Sequence, residues 1–147
     1  MTAAPRLPRL DEIDEGDRAR VGGKAHALAR LRRAGLPVPD GFVVPAGEAV
    51  DGAVAAACAA LGGPFAVRSS AAGEDGAEAS FAGQYRTELD VADADGVSAA
   101  IARCRAEAGL AAGYARELGA EGGALAVLVQ RFVEPRAAGV ADRKSVV

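Results

Sequence analysis

The stretch FAVRSSAAGEDGAEASFAGQ, from Phe65 to Gln84, decides how the rest of this sequence is interpreted. An apolar run leads into Arg68 and two serines, and a small, acidic, glycine-bearing loop follows. The apolar run is typical of a buried strand, which would present the arginine at its end. Arginine holds phosphate oxygens through paired hydrogen bonds, and small residues let backbone N–H groups come close to an anion. The stretch therefore predicts an anion site, and a nucleotide phosphate would fit it.

A second motif, Gly22-Gly23-Lys24, precedes the strongly helix-forming run from Ala25 to Ala34. The N-terminus of a helix carries N–H groups and positive dipole suited to an anion, and the lysine adds a full charge. The glycine spacing is not that of a Walker A loop. Nearly all other positive charge is arginine, and the only other lysine is Lys144. The alternative is that Lys24 is an ordinary solvated residue of a first helical turn.

Bulk properties exclude several classes of function. A chain of 147 residues is one domain at most, or a piece of one, and its core is thin because aromatic residues make up only 4%. The net charge of −3 argues against a general nucleic-acid or anionic-membrane surface. Because we find neither a membrane-spanning apolar run nor a signal-peptide core, we expect a cytoplasmic protein without nucleic-acid or membrane partners. Cys58 and Cys104 are interpreted as buried small hydrophobes.

The order of predicted elements is mixed, so α+β and α/β folds both remain open on pattern alone. Four segments have the β-rich composition of strands: Phe42–Val44, Phe65–Arg68, Tyr85–Val91 and Leu125–Val133. In the last of these, Leu125, Val127 and Val129 alternate with Ala126, Leu128 and Gln130. Two further segments have helical composition or spacing: Ala46–Leu61 and Val97 to about Leu118, the latter with Val97, Ile101, Cys104 and Ala108 on one face. Near the ends of the chain, we expect residues 1–9 to form a flexible N-terminus and Leu10–Ile13 to form a short edge strand. We expect another strand to start within Ala138–Ala141.

Three stretches together resemble the N-terminal ATP-binding (PEP/pyruvate-binding) domain of the phosphoenolpyruvate synthase, pyruvate phosphate dikinase and rifampicin phosphotransferase family. They occur in family order: Val21–Val44, the VRSS and SFAG segments within Phe65–Gln84, and Leu125–Ala141. The resemblance implies ATP-grasp architecture, in which nucleotide lies between two α+β subdomains. We therefore expect an α+β fold over residues 10–141, forming a partial ATP-grasp-like nucleotide-binding domain.

The resemblance also assigns roles to individual residues. It implies that Lys24 contacts ATP phosphates and that Arg68 binds phosphate and acts in catalysis. The loop that includes Ser80 and Gly83 would cover the phosphates. The segment beside the adenine, whose backbone would meet the base edge, includes Gln130, Phe132 and Val133.

Plain alternatives stand beside these roles. Arg68 could form a structural salt bridge with the acidic loop, whose carboxylates are Glu74, Asp75 and Glu78. The segment from Gln130 to Val133 could simply be core strand, and its side chains need not be special because backbone would read the base. His26, the only histidine, matches nothing in the family's phosphohistidine motif and is expected to be a partly exposed helix residue. Two departures from the family pattern are Ala25 in place of glycine and Ala72 in place of threonine.

The function implied by the resemblance is that of the ATP-binding front part of a phosphoenolpyruvate synthase (pyruvate, water dikinase)-like phosphotransferase. Such an enzyme passes phosphoryl from ATP through a histidine to pyruvate or a related acceptor. ATP and Mg²⁺ are the expected cofactors. Because the metal ligands, the phosphohistidine domain and the acceptor domain are expected outside this chain, we expect it to be inactive alone. The alternatives are a non-catalytic nucleotide- or phosphate-binding module and a plain α/β domain in which Lys24 and Arg68 are structural.

The C-terminal segment Asp142–Val147 breaks with the pattern before it. The family would continue with an apolar strand, whereas this string is also what a common sequencing adapter gives when translated. We expect residues 142–147 to be a non-native tail. Sequencing of the source locus past codon 141 tests this, since a continuous native frame through Val147 would contradict it.

Overall fold

The computed structural model describes residues 6–48, 52–71, 86–117 and 125–139. The helices in these ranges are α1 (Arg18–Arg33), α2 (Ala53–Leu61) and α3 (Ala94–Glu117). The strands are β1 (Gly41–Val44), β2 (Phe65–Ala71), β3 (Thr87–Val91) and β4 (Leu125–Arg131). Helices pack on a four-stranded antiparallel sheet, so the predicted α+β class is confirmed.

The sheet has the strand order β1-β4-β2-β3, and every neighbouring pair is antiparallel. The pairing of β2 with β4 is continuous from Phe65 opposite Arg131 to Ala71 opposite Leu125. Strand β4 lies between β1 and β2, with α1 on one face of the sheet and α2 and α3 on the other. It is therefore buried over all of its length except Arg131. This explains why its sequence is a nearly continuous apolar run.

Two hydrophobic cores lie on opposite faces of the sheet. On one face, Leu125, Val127 and Val129 of β4 pack with residues of α2 and α3. On the other, Ala126 and Leu128 pack beneath α1. The alternation expected for this strand is therefore confirmed, with both sets of side chains buried.

Helix α3 packs on the larger core through the face that its spacing predicted. Val97, Ile101 and Cys104 are buried, and Ala108 packs against them while partly exposed. Each fully buried aliphatic side chain of this size stabilises the fold by about 1.5–3 kcal/mol relative to solvent exposure. Cys58 of α2 lies in the same core, and both cysteines are free thiols, as expected for small hydrophobes.

The segment before α1 differs from its prediction. Leu10–Glu12 is a 3-10 helical turn, not an edge strand. The carboxylate of Glu12 accepts a hydrogen bond of 2.9 Å from the Arg9 N–H, which closes the turn. Leu10 and Ile13 are both buried, and this spacing of three suits a helical turn better than an alternating strand.

Residues 6–9, part of the N-terminal stretch 1–9 that we expect to be flexible, pack against the sheet. Leu7 is only 4% exposed. The Pro8 carbonyl accepts a hydrogen bond of 2.9 Å from Val43, and Arg9 forms a β-bridge with Phe42. These contacts cover the outer edge of β1.

Helix α2 begins at Ala53, later than the predicted start at Ala46. Gly47 has a φ of 78°, which a right-handed helix does not allow. Arg105 of α3 fixes this turn by donating hydrogen bonds of 2.9 Å to the carbonyls of Pro45 and Glu48. Tertiary contacts thus override the helix propensity of the alanine-rich sequence.

Helix α1 begins at Arg18, seven residues before the predicted run from Ala25, and is kinked at Gly22. The predicted strand boundaries shift only slightly. The strand that begins at Phe65 runs on to Ala71, three residues past Arg68, and β3 begins at Thr87. Residues 138 and 139 are not in a strand, and residues 140 and 141 lie outside the described residues. None of the helices in the described ranges is both long and apolar enough to cross a membrane.

Candidate functional site

The turn Gly22–Lys24 packs directly on the end of β2. Gly22 interrupts α1 with φ 82° and ψ 163°, a conformation essentially restricted to glycine. A Cβ atom at Gly22 would lie 2.0 Å from the carbonyl oxygen of Ser70. Position 22 therefore requires glycine for two reasons, its backbone conformation and the close approach of β2. The contact brings together the Gly22–Lys24 motif and the serines after Arg68, which are far apart in the sequence.

Ser70 fastens the helical part of α1 that follows this kink. Its hydroxyl accepts a hydrogen bond of 3.1 Å from the Ala25 N–H and donates one of 2.8 Å to the carbonyl of Val21. A helix start normally obtains such a bond from the side chain of its own N-cap residue. Gly22 has no side chain, so a buried serine from the neighbouring strand supplies the bond. The sequence analysis missed this role, and its only signal was a polar residue at a buried position near the end of an apolar run.

Lys24 is half-buried and lies over the same strand end. Its Nζ donates a hydrogen bond of 2.9 Å to the carbonyl oxygen of Ser69. The ammonium is therefore held against the sheet, which an ordinary solvated side chain would not be. Lys24 and Ser69 are 45 residues apart in the sequence, and this hydrogen bond brings Lys24 next to the Arg68–Ser70 segment.

Arg68 lies on the face of β2 that carries Ser70, because Ser69 between them points to the opposite face. Its cross-strand neighbours are Leu128 in β4 and Thr87 in β3. The guanidinium is half-buried and makes no hydrogen bond or ion pair with any other described residue. The carboxylates of the alternative salt bridge, at residues 74, 75 and 78, lie outside the described residues.

Helix α1 covers this face of the sheet over β4, β1 and the Ser70 end of β2 but leaves it open over β3. Thr87 is exposed, and Leu89 on the same face is 60% exposed. Arg68, Thr87 and Leu89 therefore form what we call the open shelf. Arg68 stands at its inner border, where a ligand could reach the guanidinium from solvent.

Ser69 faces the other side of β2, toward α3. Its hydroxyl donates a hydrogen bond of 2.9 Å to the Arg86 carbonyl, and its backbone N–H donates a second one of 3.1 Å to the same oxygen. Burial raises the pKa of the nearby Cys104 thiol, and a side-chain hydrogen bond with Ser69 opposes that shift. The side chains of Ser69 and Ser70 thus form their hydrogen bonds on opposite faces of the sheet.

Strand β2 ends at Ala71 and β3 begins at Thr87, so residues 72–85 belong to the segment that connects these two strands. The candidate residues Ser80 and Gly83 belong to this segment and lie outside the described residues. Their roles stay predictions. Arg86 at the returning end is fixed by Glu88, whose carboxylate is 3.0 Å from the Arg86 Nε, and by Glu107 of α3.

Gln130, Phe132 and Val133 lie at the other end of β4. Gln130 pairs with Ala66 whereas Ala126 pairs with Ser70, so about 13 Å of strand separates Gln130 from the Ser70 end. The structure does not bring these three residues into contact with Lys24. A single ligand that touched both places would have to be extended.

The side chain of Gln130 has a structural role that the sequence analysis did not anticipate. It is buried and donates a hydrogen bond of 3.1 Å to the Pro39 carbonyl. It also packs on Gly41, where an added Cβ would lie 2.9 Å from the glutamine Cγ. The Gln130 side chain thus fixes the approach of β4 to β1.

The two residues that follow differ in their backbone contacts. The Phe132 N–H donates a hydrogen bond of 2.8 Å to the Pro64 carbonyl, so that donor is already used. Val133 is 60% exposed, and its N–H has no backbone acceptor in the described part of the chain. Of the three adenine-side candidates, Val133 therefore has the most accessible main chain.

His26 is buried at 6% exposure, so the prediction of a partly exposed residue is wrong. It shares the inward surface of α1 with Ala25 and Ala29, and the 3-10 turn Glu15–Asp17 packs against the helix there. Its Nε2 lies 3.4 Å from a carboxylate oxygen of Glu15 without forming a hydrogen bond. Nothing in this arrangement resembles a phosphate relay.

Metal-binding potential is low in the described ranges, which contain no group of three or more histidine, cysteine, aspartate or glutamate residues that could hold an ion. The residues around Lys24 and Arg68 are themselves cations, serines and backbone carbonyls. This donor set does not fit a divalent metal, which prefers carboxylate oxygens.

A cleft of about 310 Å³ opens elsewhere, between the N-terminal segment, β1 and α2. Alanines of α2 form one wall, and Leu7 and Phe42 contribute to the others. Arg6 and Arg9 at its rim are already paired with Glu12 and Asp40. None of the candidate site residues that the structure describes lines this cleft.

Comparison with known proteins agrees with the resemblance. Residues 47–142, about two thirds of the chain, match the family described as pyruvate phosphate dikinase, AMP/ATP-binding domain. That range contains β2 and β4, whereas Gly22–Lys24 precede it.

Two curated relatives are each 38% identical to this chain. The alignment with rifampicin phosphotransferase of Streptomyces sp covers 91% of this chain and 15% of that protein. The alignment with prodigiosin synthesizing transferase PigC of Serratia marcescens covers 82% of this chain and 18% of that protein. The chain thus spans less than a fifth of the length of these relatives. On the family match, the chain belongs to the pyruvate phosphate dikinase AMP/ATP-binding domain family.

Proposed function

We propose that this chain binds the phosphates of ATP through Lys24 and Arg68, as the front part of an ATP-dependent phosphotransferase. The observation that carries the proposal is the hydrogen bond of 2.9 Å between the Lys24 Nζ and the Ser69 carbonyl. It places the lysine of one motif on the strand that carries the arginine of the other. The ATP-binding family to which the chain belongs supports the choice of ligand.

The charges at this place suit a polyphosphate. Arg68 is half-buried and has no carboxylate partner in the described ranges, so a bound anion would neutralise it at little cost. A guanidinium binds two phosphate oxygens at once, whereas an ammonium provides a compact charge with rotatable donors. Both cations would stabilise the negative charge that shifts among phosphate oxygens during phosphoryl transfer, and Arg68 is the proposed catalytic residue.

The remaining candidate residues complete the proposed site. Ser80 and Gly83 would contact the phosphates from the segment between β2 and β3. The adenine would lie toward the end of β4, near Gln130, Phe132 and Val133. Since the Phe132 N–H is already bonded to Pro64, the exposed main chain of Val133 is the best-placed group to meet the base edge.

For the parent protein we propose transfer of phosphoryl from ATP through a histidine to pyruvate or a related acceptor, as in phosphoenolpyruvate synthase-like enzymes. The relatives named as a phosphotransferase and a transferase support group transfer. Since the chain covers a small part of those proteins, the phosphohistidine and acceptor domains would lie in other parts of the parent chain. Mg²⁺ would likewise be held by ligands outside the described residues, since none of them forms a fitting cluster.

The experiment is to measure the affinities of ATP and of adenosine for the 147-residue chain and for Lys24→Ala and Arg68→Ala. Each variant should bind ATP at least about fivefold more weakly, a loss of more than about 1 kcal/mol, because each removes a charge-assisted contact. Adenosine affinity should stay unchanged because adenosine has no phosphate. Arg6→Ala, at the rim of the distant cleft, is the matched control and should leave both affinities unchanged.

Two results would contradict the proposal. One is the absence of measurable ATP binding by the wild-type chain. The other is equal ATP affinity in the wild type and in both variants, which would favour a plain domain in which these cations are structural.

A further inference from the structure

We infer that Ser69 is a positioning residue for Lys24, and that the two serines after Arg68 have different tasks. The inference rests on the proposed role of Lys24 in binding phosphate. Ser69 would not touch the ligand. It would fix the place from which the lysine ammonium meets it.

The first step is the contact between Lys24 and the main chain of Ser69. The ammonium donates to the Ser69 carbonyl at 2.9 Å. An ammonium has three rotatable donors, so it can keep this bond while it meets a phosphate oxygen. The orientation of the Ser69 peptide group thereby helps to set the position of the positive charge.

The second step is what orients that peptide group. The Ser69 N–H and hydroxyl both donate to the carbonyl oxygen of Arg86, at 3.1 and 2.9 Å. Two bonds to one acceptor restrict rotation of the residue more than a single strand bond does. Ser69 is only 1% exposed and its hydroxyl points toward α3, so the side chain cannot reach a ligand at the open shelf.

The third step is that Arg86 is itself anchored. Its guanidinium lies 3.0 Å from the Glu88 carboxylate and contacts Glu107 of α3. Arg103 of α3 reaches the same Glu88 carboxylate at 2.7 Å. These ion pairs tie the start of β3 to α3. A continuous series of contacts therefore links α3, through Arg86 and Ser69, to the Lys24 ammonium.

Ser70 differs because its hydroxyl serves the backbone of α1, at Val21 and Ala25. Ser70 holds the part of α1 that follows the kink at Gly22, whereas Ser69 fixes the position of the Lys24 ammonium. The geometry thus explains why two adjacent serines follow the arginine, one for each face of the strand.

The test uses Ser69→Ala in the 147-residue chain, with ATP and adenosine affinities and the melting temperature as readouts. ATP binding should weaken about three- to tenfold because Lys24 loses its fixed position. Adenosine affinity and melting temperature should stay close to wild type, since the backbone bond to Arg86 remains. A purely structural role would lower both affinities together. Ser98→Ala, in a half-buried serine of α3, is the matched control and should change neither affinity.

Ser69→Thr keeps the hydroxyl and should restore ATP affinity to within about twofold of wild type. Glu107→Gln is a second, less buried variant that weakens the anchor of Arg86, and it should lower ATP affinity about twofold. Wild-type ATP affinity in both Ser69→Ala and Glu107→Gln, while Lys24→Ala weakens binding, would overturn the inference and leave the proposed function intact. If Lys24→Ala also has no effect, the proposed function itself fails.

Discussion

The junction of α1 with β2 and the cleft beside α2 are two places in the described part of the chain that could hold a ligand, and they are built in opposite ways. At the junction, hydrogen bonds between 2.8 and 3.1 Å join Ser69 and Ser70 of β2 to three residues of α1, namely Val21, Lys24 and Ala25. The cleft is an opening of about 310 Å³ whose α2 wall is alanine. Its arginines already have carboxylate partners, whereas Arg68 has none in the described ranges.

This difference teaches that the size of an opening is a poor guide to a phosphate site. A phosphate needs positive charge that is not already neutralised and donors that are held in place. The junction offers both, whereas the cleft offers apolar surface. The following predictions separate the two regions by what each should do when it is altered.

The largest effect is expected for Gly22→Ala. The new Cβ would lie 2.0 Å from the Ser70 carbonyl oxygen, and alanine is strained at a φ of 82°. We expect a loss of more than about 3 kcal/mol of unfolding free energy, with the melting temperature lower by about 6 °C or more. Thermal unfolding followed by circular dichroism measures it.

Gly109→Ala is the matched control for Gly22→Ala. Gly109 lies within α3 and an added Cβ there would meet nothing within 4 Å. Helix propensity favours alanine over glycine by about 0.5–1 kcal/mol, so this variant should be slightly more stable than wild type. Equal melting temperatures for the two variants would contradict the packing described at the junction.

The next effect is expected for Ser70→Ala, which leaves the Ala25 N–H and the Val21 carbonyl without their buried partner. Unsatisfied buried polar groups and the loss of a helix cap together should cost about 2 kcal/mol. Urea unfolding measures this loss as a shift of the midpoint at unchanged slope. Ser98→Ala should shift the midpoint little, and a similar shift in both variants would mean that the Ser70 hydroxyl does not hold the turn.

On the cleft side of the sheet, a pH dependence is expected from Cys58 of α2. Burial raises the pKa of its thiol from 9.0 to about 11. The folded state therefore keeps this proton at a pH where the unfolded chain has lost it. The stabilisation from this thiol is fully present below pH 9 and is lost as the pH rises toward 11, by about 1–2 kcal/mol.

Unfolding free energies measured between pH 8 and about pH 11 test the role of the thiol. Cys58→Ala is the comparison, since it removes the titrating group but leaves the other residues that ionise in this range. The wild type should lose more stability than the variant over the interval. The same slope in both proteins would show that the Cys58 thiol ionises alike in the folded and unfolded chains.

The smallest effect is expected at the rim of the cleft. Arg6 and Glu12 form an exposed ion pair, with the Arg6 side chain 76% exposed. Arg6→Ala should change stability by no more than about 0.5 kcal/mol because water screens such pairs. It should leave ATP affinity unchanged in an equilibrium binding titration, unlike Arg68→Ala. A loss of ATP affinity in Arg6→Ala would move the ligand site to the cleft.

Sequence pattern predicted the regular parts of this fold well because they follow from local periodicity. The alternation of Leu125 to Val129 and the buried face of α3 both appear as expected. The predicted helix start at Ala46 was wrong because a distant group decides it, with Arg105 reaching from α3 to the turn after β1. Such contacts leave no local trace in the chain.

The candidate site shows the same division. Lys24 and Arg68 could be singled out from residue type and motif. That the carbonyl of Ser69 holds the lysine could not, because a backbone oxygen has no sequence signal. The burial of Gln130 against Gly41 was missed for a related reason, since it depends on which strand lies beside β4.

The most direct test of the ATP site at the junction is a titration of the ¹⁵N-labelled chain with ATP, followed by amide chemical shifts. The amides of Gly23, Lys24 and Arg68 should shift most, and saturably, while those of Phe42 and Ala57 beside the cleft stay in place. Adenosine should leave the junction amides unshifted because it lacks phosphate. Shifts concentrated at the cleft, or none at the junction, would contradict the assignment of the phosphate site to Lys24 and Arg68.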